Sequence, residues 1–72
     1  MKFDKFLINS FFSVPDLIRI YKCLLEEKKV NCYFKYKYGV IFTSVIPTNS
    51  QLIVLMHFNA THIQKADFWV EP

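Results

Sequence analysis

The stretch "CYFKYKYGVIFTSV", residues 32–45, decides the fold. Aromatic and lysine residues alternate up to Tyr38, and beyond Gly39 the run turns almost wholly apolar. Strict alternation is the period of a strand with one buried face. Residues 30–37 therefore read as a strand, with Val30, Cys32, Phe34 and Tyr36 on one side and Asn31, Tyr33, Lys35 and Lys37 on the other. Gly39 is the only glycine of the chain. With Tyr38 it is expected to form a two-residue hairpin loop, where positive φ is wanted. Residues 40–46, rich in β-branched side chains, follow as a second strand. Residues 47–50 (PTNS) are a turn by composition, and residues 51–58 a third strand. The expectation is an antiparallel β-meander.

Directly opposed residues share a sheet face. Folding at Tyr38-Gly39 sets Tyr36 against Ile41, Phe34 against Thr43 and Cys32 against Val45. A loop at residues 47–50 then sets Val45 against Leu52, Thr43 against Val54 and Ile41 against Met56. One face gathers Cys32, Phe34, Tyr36, Ile41, Val45, Leu52, Val54 and Met56, the expected core. The other carries Tyr33, Lys35 and Lys37 on the first strand, then Val40, Phe42, Ser44, Ile46, Ile53, Leu55 and His57. A solvated face is polar at alternate positions, and this one is polar along one strand only. Something is expected to cover the rest: an end of the chain, a second copy or another partner.

Upstream, residues 15–28 read as an amphipathic helix that packs on the core face. Ser13 is the N-cap, with Asp16 three residues on and Pro15 in the first turn. Leu17, Tyr21, Leu24 and Leu25, with Ile18 and Ile20 beside them, form the apolar stripe, and Lys28 and Lys29 suit the C-terminal end of the dipole. The N-terminal segment, with Phe3, Phe6, Leu7, Ile8, Phe11 and Phe12, matches neither the strand nor the helix period. The C-terminal segment reads as a short tail: a helical turn capped at Thr61, then a β-like Phe68-Trp69-Val70. The fold class is α+β, one small domain over residues 1–72.

Bulk composition bounds the function. At 72 residues there is room for one core, and 53% hydrophobic and 18% aromatic residues supply more apolar surface than a small monomer hides. The net charge of +3, from eight lysines, one arginine and six acids, is mild beside that of a dedicated DNA-binding domain. No window reaches the length of a membrane span, and the start of the chain lacks the apolar core of a signal peptide. The reading is a cytoplasmic protein with reduced thiols. Its wealth of residues with AT-rich codons suggests a low-GC genome, and small chains of that character are often accessory proteins of phages or mobile elements, a genomic prior under which the expected job is to modulate a host protein.

Chemistry-bearing motifs are sparse. Cys23, Cys32, His57 and His62 make a nominal zinc set, but the cysteines stand nine apart where zinc modules space them by about two to four. No cysteine has a base in reach, Glu26 and Glu27 diverge on a helix, and one glycine builds no phosphate loop. We expect no catalytic residue, no metal, no cofactor and no small-molecule substrate. The leading expectation is a non-enzymatic protein-binding module or homodimer that docks Tyr33, Phe42, Ile53, Leu55 and Trp69. The alternative is a single-stranded nucleic-acid binder using Lys29, Tyr33, Lys35 and Lys37, with rings for stacking and lysines for phosphates.

Overall fold

The helix stops earlier than its charge pattern suggests, and the way it stops is informative. In the computed structural model, which describes residues 4–56 and 62–72, α1 spans Val14–Leu25. Ser13 caps its start, with Oγ accepting from the Asp16 N–H at 3.5 Å. At the far end the Lys28 N–H donates to the Cys23 carbonyl and the Glu27 N–H to the Leu24 carbonyl, each at 3.0 Å. This pair of bonds is a Schellman closure, which needs a left-handed residue at its turn. That residue is Glu27, at φ 61°. Glycine takes this conformation without a Cβ penalty. Glu27→Gly is therefore expected to stabilise the protein by about 1 kcal/mol, read as a raised urea midpoint.

The helix turns Leu17, Ile20, Cys23 and Leu24 to the core. Ile18, Tyr21 and Leu25, placed by sequence in the buried stripe, are exposed. The contact stripe is rotated toward Ile20, which is fully buried, with Leu24 at i+4 packed against the same core.

Around this helix the strands form two three-stranded antiparallel sheets. β1 (Asp4–Leu7), β4 (Ile46–Pro47) and β5 (Leu52–Met56) make one, in the order β1-β5-β4. β2 (Lys29–Tyr36), β3 (Gly39–Ser44) and β6 (Ile63–Glu71) make the other, in the order β3-β2-β6. β3 and β4 are one run of chain interrupted at Val45. That residue is buried, and its N–H donates to the Val30 carbonyl at 3.0 Å. Ser44 still pairs with Asn31 of β2, whereas Ile46 already pairs with Ile53 of β5. Corners of this kind, where a strand leaves one sheet for another, let a small sheet enclose a core on its concave side.

The expected helix and antiparallel meander are present, from β2 through the β3–β4 run to β5, but the meander is divided between two sheets: β5 pairs with β4 and β1, not with β3. The first hairpin is also displaced. Tyr36 pairs with Gly39, so the loop is Lys37-Tyr38, and Phe34 faces Ile41 rather than Thr43. Gly39 sits just past the loop at φ 155°. The second loop shifts the other way along the chain, with Pro47 opposite Leu52. Each slip is two residues, and an even slip keeps every side chain on its face. Cys32, Phe34, Val45, Leu52, Val54 and Met56 are indeed buried together, with Ile8, Ile20 and Val30.

Both chain ends are recruited as strands. β1 lies along β5, Phe6 opposite Val54, and a 3-10 turn at Ile8–Ser10 then leads Phe11 and Phe12 inward. The supposed tail is the longest strand, β6, laid along β2 with Phe34 opposite Ala66 and Cys32 opposite Phe68. The helical turn expected at Thr61, the end of the third strand at Phe58, His57 and Phe3 lie outside the described residues.

Candidate aromatic interface

β2 runs through the middle of its sheet and presents Asn31, Tyr33 and Lys35 on the convex face. β3 adds Val40, Phe42 and Ser44, and β6 adds Lys65, Asp67 and Trp69. Register arranges these in rows: Ser44, Asn31 and Trp69; then Phe42, Tyr33 and Asp67; then Val40, Lys35 and Lys65. Tyr33 and Phe42 meet edge to face with centroids 5.5 Å apart, and Phe42 meets Trp69 in the same way at 5.7 Å. A shallow groove of about 440 Å³ runs along them, lined also by Lys65, Asp67 and Phe68. Phe42 is 63% exposed and Trp69 40%, so among the described residues nothing covers them.

The five residues expected to face a partner thus divide. Tyr33, Phe42 and Trp69 converge, because β6 carries Trp69 across β2 toward Phe42. Ile53 is corrected: only 8% exposed, it lies in the central strand of the other sheet, flanked by Leu7 and Ile46, and has no surface to offer. Leu55 is half-buried in that sheet, opposite Lys5.

The residues of the nucleic-acid reading are scattered. Lys29 stands 3.9 Å from Glu71, and Lys37 lies in the hairpin loop with its ammonium 5.5 Å from the Tyr38 ring. Lys35 keeps its place beside Tyr33, directly opposite Lys65, and among the described residues neither has an ion-pair partner. Like charges so placed repel mildly. Lys28 is held by Glu26 at 2.9 Å, and this hydrogen bond lowers the Glu26 carboxyl and raises the Lys28 ammonium from their ordinary values.

Two residues that sequence reasoning passed over matter here. Asn31 is only 8% exposed although it is on the convex face. The Phe42 and Trp69 rings belong to strands on either side of β2, so their contact bridges over that strand on the face where Asn31 lies. Its Oδ1 accepts from Ser44 Oγ at 3.2 Å, while its buried Nδ2 has no partner among the described residues. Asp67 is the other: its Oδ1 accepts the Phe68 N–H at 2.8 Å. Alternation of Lys65, Asp67 and Trp69 with Ala66, Phe68 and Val70 was the available signal for the strand that places Lys65, Asp67 and Trp69.

The nominal zinc set does not assemble among the described residues, where no three His, Cys, Asp or Glu side chains converge. Cys23 and Cys32 are free thiols. Burial pushes the Cys32 thiol up to about 12. An unfolded cysteine ionises near about 8.5, so above that pH the unfolded chain loses a proton that the folded one keeps. Stability is expected to fall by about 1.4 kcal/mol per pH unit between those two values, and below them this contribution is fully present. Urea midpoints for the wild type and Cys32→Ala from pH 8 to 11 check this: only the wild type should show that thiol-linked decline.

The chain is thus a β-rich α+β domain that brings Tyr33, Phe42 and Trp69 together on one sheet face. Comparison with protein-family models, curated proteins and solved structures finds no match for it. Among the described residues no helix is long and apolar enough to cross a membrane.

Proposed function

We propose that this chain is a non-enzymatic protein-binding module whose contact surface is the Tyr33–Phe42–Trp69 face. The observation that carries the reading is the exposed ring cluster itself. Three aromatics already packed on one another present large apolar area with few rotors left to freeze, which is the composition of interface hot spots. The charges around the rings favour protein over nucleic acid. Lys29, Lys35 and Lys65 are nearly balanced by Asp67 and Glu71 on the same face, and Asp67 lines the groove where a phosphate would be repelled. The unpaired Lys35 and Lys65 are the observation that favours the second reading, single-stranded nucleic acid.

In this view the protein is an accessory factor, of phage or mobile-element origin, that acts in the cytoplasm by occupying a host protein; its two free thiols suit a reducing compartment. Selection of peptides from a displayed library against the wild type, with counter-selection on Phe42→Ala, tests the reading. Binders specific to the intact face support it. Sedimentation with a labelled oligonucleotide at two salt concentrations is the counter-test. Salt-sensitive co-sedimentation abolished by Lys35→Glu with Lys65→Glu, and no peptide binder, overturns it. Self-association lost in Phe42→Ala would make a second copy the protein partner.

A further inference from the structure

We propose that α1 carries a second docking surface, on which a second copy of this chain packs its own α1 antiparallel to form a weak, two-fold symmetric dimer. The inference goes beyond the ring face and uses none of its residues. At about 100° per residue, the apolar side chains of α1 run round the helix from Cys23 through Ile20, Leu24 and Leu17 to Tyr21, Val14, Leu25 and Ile18. That arc covers about 220°, roughly twice what one core contact takes up. Half of it meets the core, through Leu17, Ile20, Cys23 and Leu24. The other half, Val14, Ile18, Tyr21 and Leu25, is exposed at 68, 51, 44 and 77%.

The spacing of these four residues points to the occupant. Steps of four, three and four are the d-a-d-a positions of a heptad, the seam by which one helix packs along another. The steps also form a palindrome. A copy of α1 running in the opposite direction therefore sets Val14 against Leu25 and Ile18 against Tyr21, and the same in reverse, all related by one two-fold axis. Each layer joins a β-branched side chain to a longer one, the pairing of sizes that lets facing side chains interdigitate. Antiparallel helices also align their dipoles favourably, whereas a parallel pair sets like ends side by side. Asp16, Arg19, Lys22 and the capping Glu26 sum to no net charge, so the two copies do not repel. Beside the seam a groove of about 330 Å³ opens between Leu17 and Tyr21 of the helix and Leu7 and Leu52 of the β1-β5-β4 sheet, with room for opposing side chains.

The four residues have on the order of 100 Å² each left to bury, roughly 800 Å² over both copies. This is the low end for specific interfaces, so the dimer forms at high protein concentration, with a dissociation constant on the order of 100 µM. Ile20 is buried with Val30, Cys32 and Phe34 on the concave side, whereas Tyr33, Phe42 and Trp69 are on the convex one. A dimer joined at α1 thus leaves both ring faces open and makes the module bivalent.

Sedimentation equilibrium across a concentration series tests the proposal. The apparent mass of the wild type should rise with concentration from 8.6 kDa toward twice that value. Ile18→Lys should weaken association by about a hundredfold or more, because the two-fold axis places the new charge in the apolar seam twice. If Ile18→Lys lowers the thermal midpoint, Leu25→Lys, at the more exposed position, replaces it. Phe42→Ala should associate as the wild type does. Oxidative cross-linking in a Cys23→Ala background reads the register: Val14→Cys and Leu25→Cys chains should cross-link when mixed and not separately. A wild type that stays monomeric up to about 1 mM, association unchanged by the seam variant, or cross-linking of Val14→Cys with itself overturns the proposal. Association lost in Phe42→Ala but kept in Ile18→Lys overturns it in favour of the ring face. A strict monomer that still yields peptide binders to the ring face overturns the dimer and leaves the protein-binding reading standing.

Discussion

Phe34→Ala is expected to remove a large part of the stability of the domain. Phe34 is the largest of the fully buried side chains, with Phe11 at 4.9 Å and Phe12 at 6.3 Å between ring centroids. By register it also lies between Ile41 of β3 and Ala66 of β6, so it anchors all three strands of its sheet to the N-terminal turn. Truncating a buried phenylalanine costs about 3–5 kcal/mol. A domain of this length has about 4–11 kcal/mol of stability in total. The loss therefore consumes a large part of the whole. A urea titration followed by far-UV circular dichroism should show a large fall in the midpoint. A midpoint near the wild-type value would mean that Phe34 is not the keystone described.

Phe42→Ala should behave in the opposite sense, sparing the fold and removing the function. At 63% exposure its ring contributes little burial, and what is lost is its edge contacts to Tyr33 and Trp69. We expect a stability change of about 1 kcal/mol or less, the value of such ring pairs. Binding of any ligand selected against this face should weaken by about 2 kcal/mol or more, about thirtyfold, as at a central aromatic hot spot. Leu25→Ala is the matched control. Leu25 is also apolar and exposed, at 77%, but it sits on the helix away from the convex face. Equal losses of affinity in the two variants would show that general stickiness, and not the ring cluster, was being measured.

The contrast between Phe34 and Phe42 was readable from the sequence, and the reason is parity. The loop lies at Lys37-Tyr38, one residue before the place that Gly39 suggests, yet the resulting slip is even and leaves each residue facing as expected. Alternation thus specified which side was core more firmly than loop chemistry specified where the turn falls. What the sequence hid was of another kind. The switch at Val45 carries no breaker residue, only one more β-branched position in a run of them. β6 was masked by its own composition, since an exposed Trp69 between Phe68 and Val70 makes a strand look like an irregular apolar end. With β6 unread, Lys65 and Asp67 had no position, and Asn31 seemed an ordinary solvent-facing residue.

The shared strand has a consequence for how the molecule comes apart. Two sheets built on separate segments could open one at a time, but here residues 39–47 belong to both. Peeling β4 from β5 pulls on Val45, and Val45 is bonded to the central strand of the other sheet. The domain should therefore open as a single cooperative unit. The Val45 amide, buried and bonded at the corner, would then exchange with solvent deuterium only through global opening, and its rate becomes a clock for unfolding of the entire domain.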